Sequence, residues 1–179
     1  FRKGLFHVQD IPSQVCSLVA SYDKPKTVLD LCSAPGGKSF TIAEELNSNN
    51  SFVYSFDLHE SRIRLMKQGS DRLKLNNITA KVSDAAVYNA SIGTSDCVIC
   101  DVPCSGFGVI RKKPEIKYKD PDSLAKLPEL QYSILENASR YVAKDGLLIY
   151  STCTLSKAEN EDVVSLFLKK HPKFSPKAL

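Results

Sequence analysis

The chain has 179 residues, 42% hydrophobic and 25% charged, with a formal net charge of +4. That length suits one domain with a substantial core, and the composition is that of an ordinary globular protein. No run approaches the roughly 18 apolar residues of a membrane span, and the six cysteines follow no small-domain disulfide layout, so a cytoplasmic protein with reduced thiols is expected.

The opening Phe1-Arg2-Lys3-Gly4 carries no signal-peptide pattern and no initiating Met, which suggests a piece of a longer protein. Short β-rich or apolar runs then alternate with helical patterns. Strands are expected over 27–31, 52–56, Ile78–Val82, 96–100 and 147–151. Helices are expected over 39–46, 61–75 and 124–142, the last from Leu124, Leu127, Leu130, Ile134, Leu135, Ala138 and Val142 at helical spacing. Gly146 reads as the stop of that helix, and Ser156-Lys157-Ala158-Glu159 as a capping box opening a last one through Val163, Val164, Leu166 and Phe167. Strand, helix and strand in repetition give right-handed crossovers and a mostly parallel, doubly wound α/β sheet. Residues 1–179 are therefore expected to be a single domain.

On that scaffold Asp30, Asp57, Asp84 and Asp101 each fall at or near the end of one of the first four strands. One such acid is unremarkable, because Asp favours turns and caps. Four would ring the crevice at the carboxyl edge of the sheet, where open α/β sheets hold their ligands. The turn Cys32-Ser33-Ala34-Pro35-Gly36-Gly37-Lys38 adds paired glycines that let backbone approach a ligand, followed by a helix N-terminus. Asp57 comes about twenty residues later, the distance at which an acid on the second strand accepts both hydroxyls of a ribose. The turn thus suits an adenosine-type cofactor. It lacks the G-x-G-x-x-G spacing. Gly37-Lys38-Ser39 matches only the end of a phosphate loop, with Val98-Ile99-Cys100-Asp101 as a possible magnesium strand, so an ATPase is the rival reading.

Cys104, in Asp101-Val102-Pro103-Cys104-Ser105-Gly106, and Cys153, in Ser151-Thr152-Cys153-Thr154, both follow apolar strands into loops at that same edge. Cys97 and Cys100 have C-x-x-C spacing inside a strand and would point to opposite faces, so no metal is expected. With Cys16 they read as small core hydrophobes. His7, His59 and His171 are scattered and offer no base for a Cys-His nucleophile. After the Cys104 loop comes the basic run Arg111, Lys112, Lys113, Lys117 and Lys119, a candidate phosphate-contacting patch whose plainer reading is a solvated loop.

The segments from Leu29 to Lys38, Asp101 to Gly106, Arg111 to Lys117 and Tyr150 to Thr154 resemble the Sun/Nop family of RNA cytosine-5 methyltransferases, most closely the bacterial branch acting on small-subunit ribosomal RNA. The opening 1–14 and Glu159-Asn160-Glu161 are similar too. The resemblance implies a Rossmann-like class I methyltransferase domain using S-adenosyl-L-methionine and acting on RNA; a monomer is expected. It implies that Cys32 through Lys38 wrap the cofactor, that Asp57 holds its ribose and that Asp84 lies by the adenine. Asp101 would stand between cofactor and base, Cys153 would be the nucleophile, and Cys104 would assist product release. Arg111, Lys112, Lys113 and Lys117 would contact RNA. The residues alone leave the order of the two thiols open, since DNA cytosine methyltransferases attack with their proline-cysteine thiol. Ser33 stands where many relatives have alanine. The sheet is expected to lack its last strands, and an RNA-binding module without catalysis remains a third reading.

Overall fold

The computed structural model describes residues 1–178. Its strands β1 (Thr27–Asp30), β2 (Phe52–Asp57), β3 (Ile78–Val82), β4 (Ser95–Asp101) and β5 (Val142–Ser151) form one sheet in the order β3-β2-β1-β4-β5. Every pairing among them is parallel. All five carboxyl ends therefore share one edge, and the order reverses between β1 and β4, where a crevice opens beyond the strand ends.

Helices α1 (Ile11–Ser21), α2 (Gly37–Leu46), α3 (Glu60–Leu73), α4 (Pro121–Ala125), α5 (Leu127–Ser139) and α6 (Glu161–Lys170) complete the chain. Pleating sends successive strand residues to opposite layers, so a sheet covered on both faces needs apolar residues at nearly every position. Val28, Val53, Cys97 and Ile99 pack on Ala20 of α1 and on Ile42, Ala43 and Leu46 of α2. Leu29, Val98 and Cys100 pack instead on Ile134, Leu135 and Ala138 of α5 and on Val163 and Phe167 of α6. Cys97 and Cys100 thus lie in opposite layers, both buried.

Four local expectations need correction. The helix expected over 124–142 is two helices, because Pro128 lies in the first turn of α5 and can continue nothing from α4. Val142 and Gly146 belong to β5. That strand bulges between the pairs Ser95–Val142 and Cys97–Leu147, with Asp145 at φ 62°. A Cβ at position 146 would meet the Asp96 carbonyl oxygen at 2.9 Å, so glycine serves strand proximity there and stops no helix. Ser156 precedes only the short 3-10 turn Lys157–Glu159, while α6 begins at Glu161. Finally, α1 had no counterpart in the sequence reading, since its apolar residues Ile11, Val15 and Leu18 are exposed rather than marking a buried face.

Candidate active site

Three of the four acids end strands. Asp30, Asp57 and Asp101 are the last residues of β1, β2 and β4, and Asp84 follows β3. Asp84 is exposed and accepts the Ala86 N–H at 2.9 Å, closing its own turn. It lies beside Asp57, whose carbonyl accepts the Ser83 N–H at 3.1 Å.

The glycine turn folds mostly on contacts from its own crossover. Ser33 donates from its N–H (2.9 Å) and its hydroxyl (2.7 Å) to the Phe56 carbonyl, and the Gly36 N–H donates to the Ser33 carbonyl at 2.8 Å. Gly36 adopts φ 109°, and a Cβ there would strike the Phe40 ring at 2.4 Å, so only glycine fits. Ala34 is buried and its carbonyl accepts Arg62 Nη2 at 2.7 Å, while Pro35 is exposed. Cys32 is half-buried, and burial pushes its thiol well up. Gly36 precedes α2 with no side-chain cap, leaving the first amides of the helix free to face the crevice.

Behind the turn, Asp30 is 1% exposed. Ser39 Oγ donates to its Oδ2 at 2.6 Å, and Ser55 Oγ donates to Ser39 at 2.9 Å. Its Oδ1 has no partner among the described residues, and burial raises the carboxyl to about 7. Lys38 leaves the turn and reaches Asp101 Oδ2 at 2.6 Å, while Ser151 Oγ donates to Asp101 Oδ1 at 2.5 Å. Burial works against the Lys38 charge, but the Asp101 carboxylate outweighs it and holds the amine above its usual value. A lysine committed this way is not the free phosphate-loop lysine of an ATPase.

Parallel register sets Asp101 opposite Ser151, so the loops that follow emerge side by side. Cys104 Sγ and Cys153 Sγ are 3.1 Å apart, and the Cys153 N–H donates to Cys104 Sγ at 3.3 Å. The Cys104 thiol, as donor to Cys153, holds the Cys153 thiol down to about 6, against burial and the Asp101 charge and with help from Lys113. That same bond, with burial, drives the Cys104 thiol far up. The shared proton thus favours the thiolate on Cys153.

What holds the loops was not read from the sequence. Glu159 is buried and accepts the Ser105 N–H at 2.8 Å and Gln131 Nε2 at 2.9 Å, while Gln131 also donates to the Pro103 carbonyl at 2.9 Å. Burial disfavours the Glu159 charge, but the bonds from Ser105 and Gln131 prevail and keep its carboxyl below the usual value. The hydroxyls of Ser105 and Thr154 meet at 2.6 Å, and Asn160 Nδ2 donates to the carbonyls of Thr154 and Ser156. The signal was present as Ser156-x-x-Glu159, but a capping box and an inward acid look alike in sequence.

Arg111, Lys112, Lys113 and Lys117 are exposed beside these loops. Lys112 pairs with Asp10, and Lys113 is near enough to lower the Cys153 thiol. Lys119 Nζ donates to the Ser105 carbonyl at 2.9 Å and so braces the Cys104 loop as well. No helix of the described residues is long and apolar enough to cross a membrane.

An adenosyl amino acid fits these groups. Asp57 is 4% exposed at the end of β2, a carboxylate suited to a diol, and is met by the His59 N–H at 3.1 Å and by Arg62 at 3.1 Å. The uncapped start of α2 offers amides to a carboxylate. Strand order and the site at the carboxyl edge give the class, the Rossmann-like fold of class I methyltransferases. NSun6 from Pyrococcus horikoshii, solved with SFG, superposes with a TM-score of 0.85 at 30% identity over 95% of this chain and 44% of its own. The chain belongs to the family described as 16S rRNA methyltransferase RsmB/F, which it matches over residues 18–178. It is 44% identical over 179 residues to the probable ribosomal RNA small subunit methyltransferase B of Bacillus subtilis (strain 168), covering 98% of this chain. It is 37% identical over 174 residues to the ribosomal RNA small subunit methyltransferase B of Photorhabdus laumondii, covering 96%. The chain spans 40% of the length of each of these relatives.

Proposed function

We propose that the protein transfers a methyl group from S-adenosyl-L-methionine to carbon 5 of a cytosine in RNA, through a covalent bond between Cys153 and carbon 6. The observation that carries this reading is the thiol pair at 3.1 Å beside Asp101, at the edge where the sheet order reverses. Relatives described as small-subunit ribosomal RNA methyltransferases support that RNA as substrate; the reading takes the protein as a monomeric catalytic domain acting in the cytoplasm.

Carbon 5 of cytosine is too electron-poor to attack a methyl sulfonium, and a thiol with its pKa near 6 is largely thiolate at neutral pH. Adding Cys153 to carbon 6 forms the S–C bond and moves ring electrons to N3, which takes a proton from water, with Asp101 as hydrogen-bond partner of that proton. Carbon 5 is then nucleophilic. When bound, the cofactor supplies the electrophilic methyl, with Cys32 through Lys38 around it, Asp57 on its ribose and Asp84 by its adenine. Water takes the carbon 5 proton, and the double bond between carbon 5 and carbon 6 re-forms as the S–C bond breaks with its electrons on sulfur. N3 gives up its proton to water, and Cys153 returns as thiolate, with Cys104 assisting this release. The base must leave its stack to reach the thiol. Arg111, Lys112, Lys113 and Lys117 hold the phosphates around it.

The test is methyl transfer by the full-length protein from isotopically labelled S-adenosyl-L-methionine to transcribed small-subunit ribosomal RNA, followed by nucleoside analysis. Label in 5-methylcytidine with wild type, and none with Cys153→Ser that still binds the cofactor, is expected. Label elsewhere, or undiminished in Cys153→Ser, refutes the reading. Calorimetry on Asp57→Ala, expected to weaken cofactor binding greatly, checks the cofactor half.

A further inference from the structure

We infer that Cys104 and Cys153 are also a reversible disulfide pair, closed by reaction with a hydroperoxide, so that the same edge of the sheet serves as a peroxide-responsive site. The inference concerns the same two sulfurs but requires none of the RNA chemistry.

Their sulfurs are 3.1 Å apart, so a disulfide of about 2.05 Å needs an approach of only about 1 Å. The loops already hold that distance. The Gly108 N–H donates to the Cys153 carbonyl at 3.0 Å, and the Ser105 and Thr154 hydroxyls meet at 2.6 Å. A side chain at Gly108 would put its Cβ 2.8 Å from the Cys153 oxygen, so close approach of the loops is built into the sequence. Cys153 is exposed, and a hydroperoxide reaches it from solvent. An accessible thiolate beside a resolving thiol is the arrangement of redox-responsive cysteines. The other four cysteines do not share it. Cys97 and Cys100 are buried, and burial raises the thiols of Cys16 and Cys32.

The chemistry closes in two steps. The Cys153 thiolate attacks one oxygen of the hydroperoxide, an S–O bond forms, the O–O bond breaks, and the departing alkoxide or hydroxide takes a proton. Cys104 then attacks the sulfenic sulfur, an S–S bond forms, the S–O bond breaks, and hydroxide leaves as water with the Cys104 proton. Two thiols lose two electrons, and the hydroperoxide is reduced to an alcohol or water. An external thiol reverses the reaction by exchange.

The experiment treats the full-length protein with hydrogen peroxide near pH 7, blocks remaining thiols under denaturing conditions and maps peptides by mass. A Cys104–Cys153 cross-linked peptide, about 2 Da below the sum of its parts and released by dithiothreitol, is expected. Cys104→Ser is expected to stop at a Cys153 sulfenic acid trapped by dimedone, and Cys153→Ser to form neither product. Wild-type Cys153 passing to sulfinic acid without the cross-link, or staying reduced while Cys16 or Cys32 oxidises, overturns the inference. These readouts involve no methyl transfer, so failure of the proposed activity leaves them intact. If both hold, peroxide abolishes methylation, dithiothreitol restores it, and affinity for S-adenosyl-L-methionine stays within about twofold of the reduced protein's, because the cofactor turn lies on other strands.

Discussion

The backbone of the turn after β1 is held mostly by residues of its own crossover, with Arg62 of α3 on the Ala34 carbonyl and Lys38 on Asp101 as its longer-range contacts. Ser33 bonds to Phe56 on the next strand, and Gly36 bonds to Ser33 and packs on Phe40. The thiol loops after β4 and β5 are held by residues 49 and 54 apart in sequence, through the Ser105–Thr154 and Ser105–Glu159 contacts. The difference is one of chain entropy and burial. A turn built from neighbours forms with its strand, while the thiol pair exists only once α5 and the turn before α6 have docked and brought Gln131 and Glu159 beneath it. Cofactor binding and thiol reactivity should therefore respond to different substitutions.

The largest effect is expected where the turn meets the buried acid beneath it. Asp30 has its folded pKa raised from 3.8 to about 7, so the folded state holds a proton that the unfolded chain releases first. The stabilisation is full below about pH 4 and is lost as pH rises to about 7, a span of up to about 4 kcal/mol. Denaturant titrations from pH 4 to 8 should show that decline in wild type and a flatter curve in Asp30→Asn. Equal slopes would remove Asp30 from the account.

Glu159→Ala comes next. It leaves the buried Ser105 N–H and one Gln131 bond without an acceptor, which should cost about 2–3 kcal/mol in chemical denaturation. It should also slow alkylation of Cys153 at pH 7 while cofactor affinity changes little. Loss of cofactor binding together with thiol reactivity would show that the two halves are one unit.

Gly36→Ala should do the reverse. Strain at φ 109° and the contact with Phe40 should cost roughly 1–3 kcal/mol and weaken S-adenosyl-L-methionine binding, with Cys153 alkylation unchanged. The smallest effect on stability is expected from Cys104→Ala. Removing the donor to Cys153 should move the midpoint of its alkylation rate upward from about pH 6 toward the ordinary thiol value of 9. An unchanged midpoint would mean that Lys113, not Cys104, sets the charge.

The same division explains what could be read in advance. The strands, their alternation with helices and the acids Asp30, Asp57 and Asp101 at strand ends follow from local pattern, because a sheet buried on both faces needs apolar runs and turns need small or acidic residues. Gly36 was legible for the same reason. Glu159 was not, since a carboxylate three residues after a serine carries the same signature whether it caps a helix or turns inward to bind Ser105. The fate of Lys38, paired with Asp101 across two strands, depends on strand order, which periodicity does not reveal. Pro128 and Gly146 were visible, but a continuous helical spacing outweighed the first, and strand bulging gave the second a different role. Helix α1 hides because its large apolar residues Ile11, Val15 and Leu18 face outward.

The central claim is that Cys153, with Cys104 beside it, is the sulfur that bonds to the base. Its most direct test offers the full-length protein and S-adenosyl-L-methionine an RNA whose cytosines carry fluorine at carbon 5, which cannot leave as the proton does, and isolates denaturation-stable protein–RNA complexes. A complex whose RNA maps to Cys153, formed by wild type and Cys104→Ser and absent from Cys153→Ser, is the predicted result. A complex mapping to Cys104 and surviving in Cys153→Ser would contradict the account and reverse the roles of the two thiols.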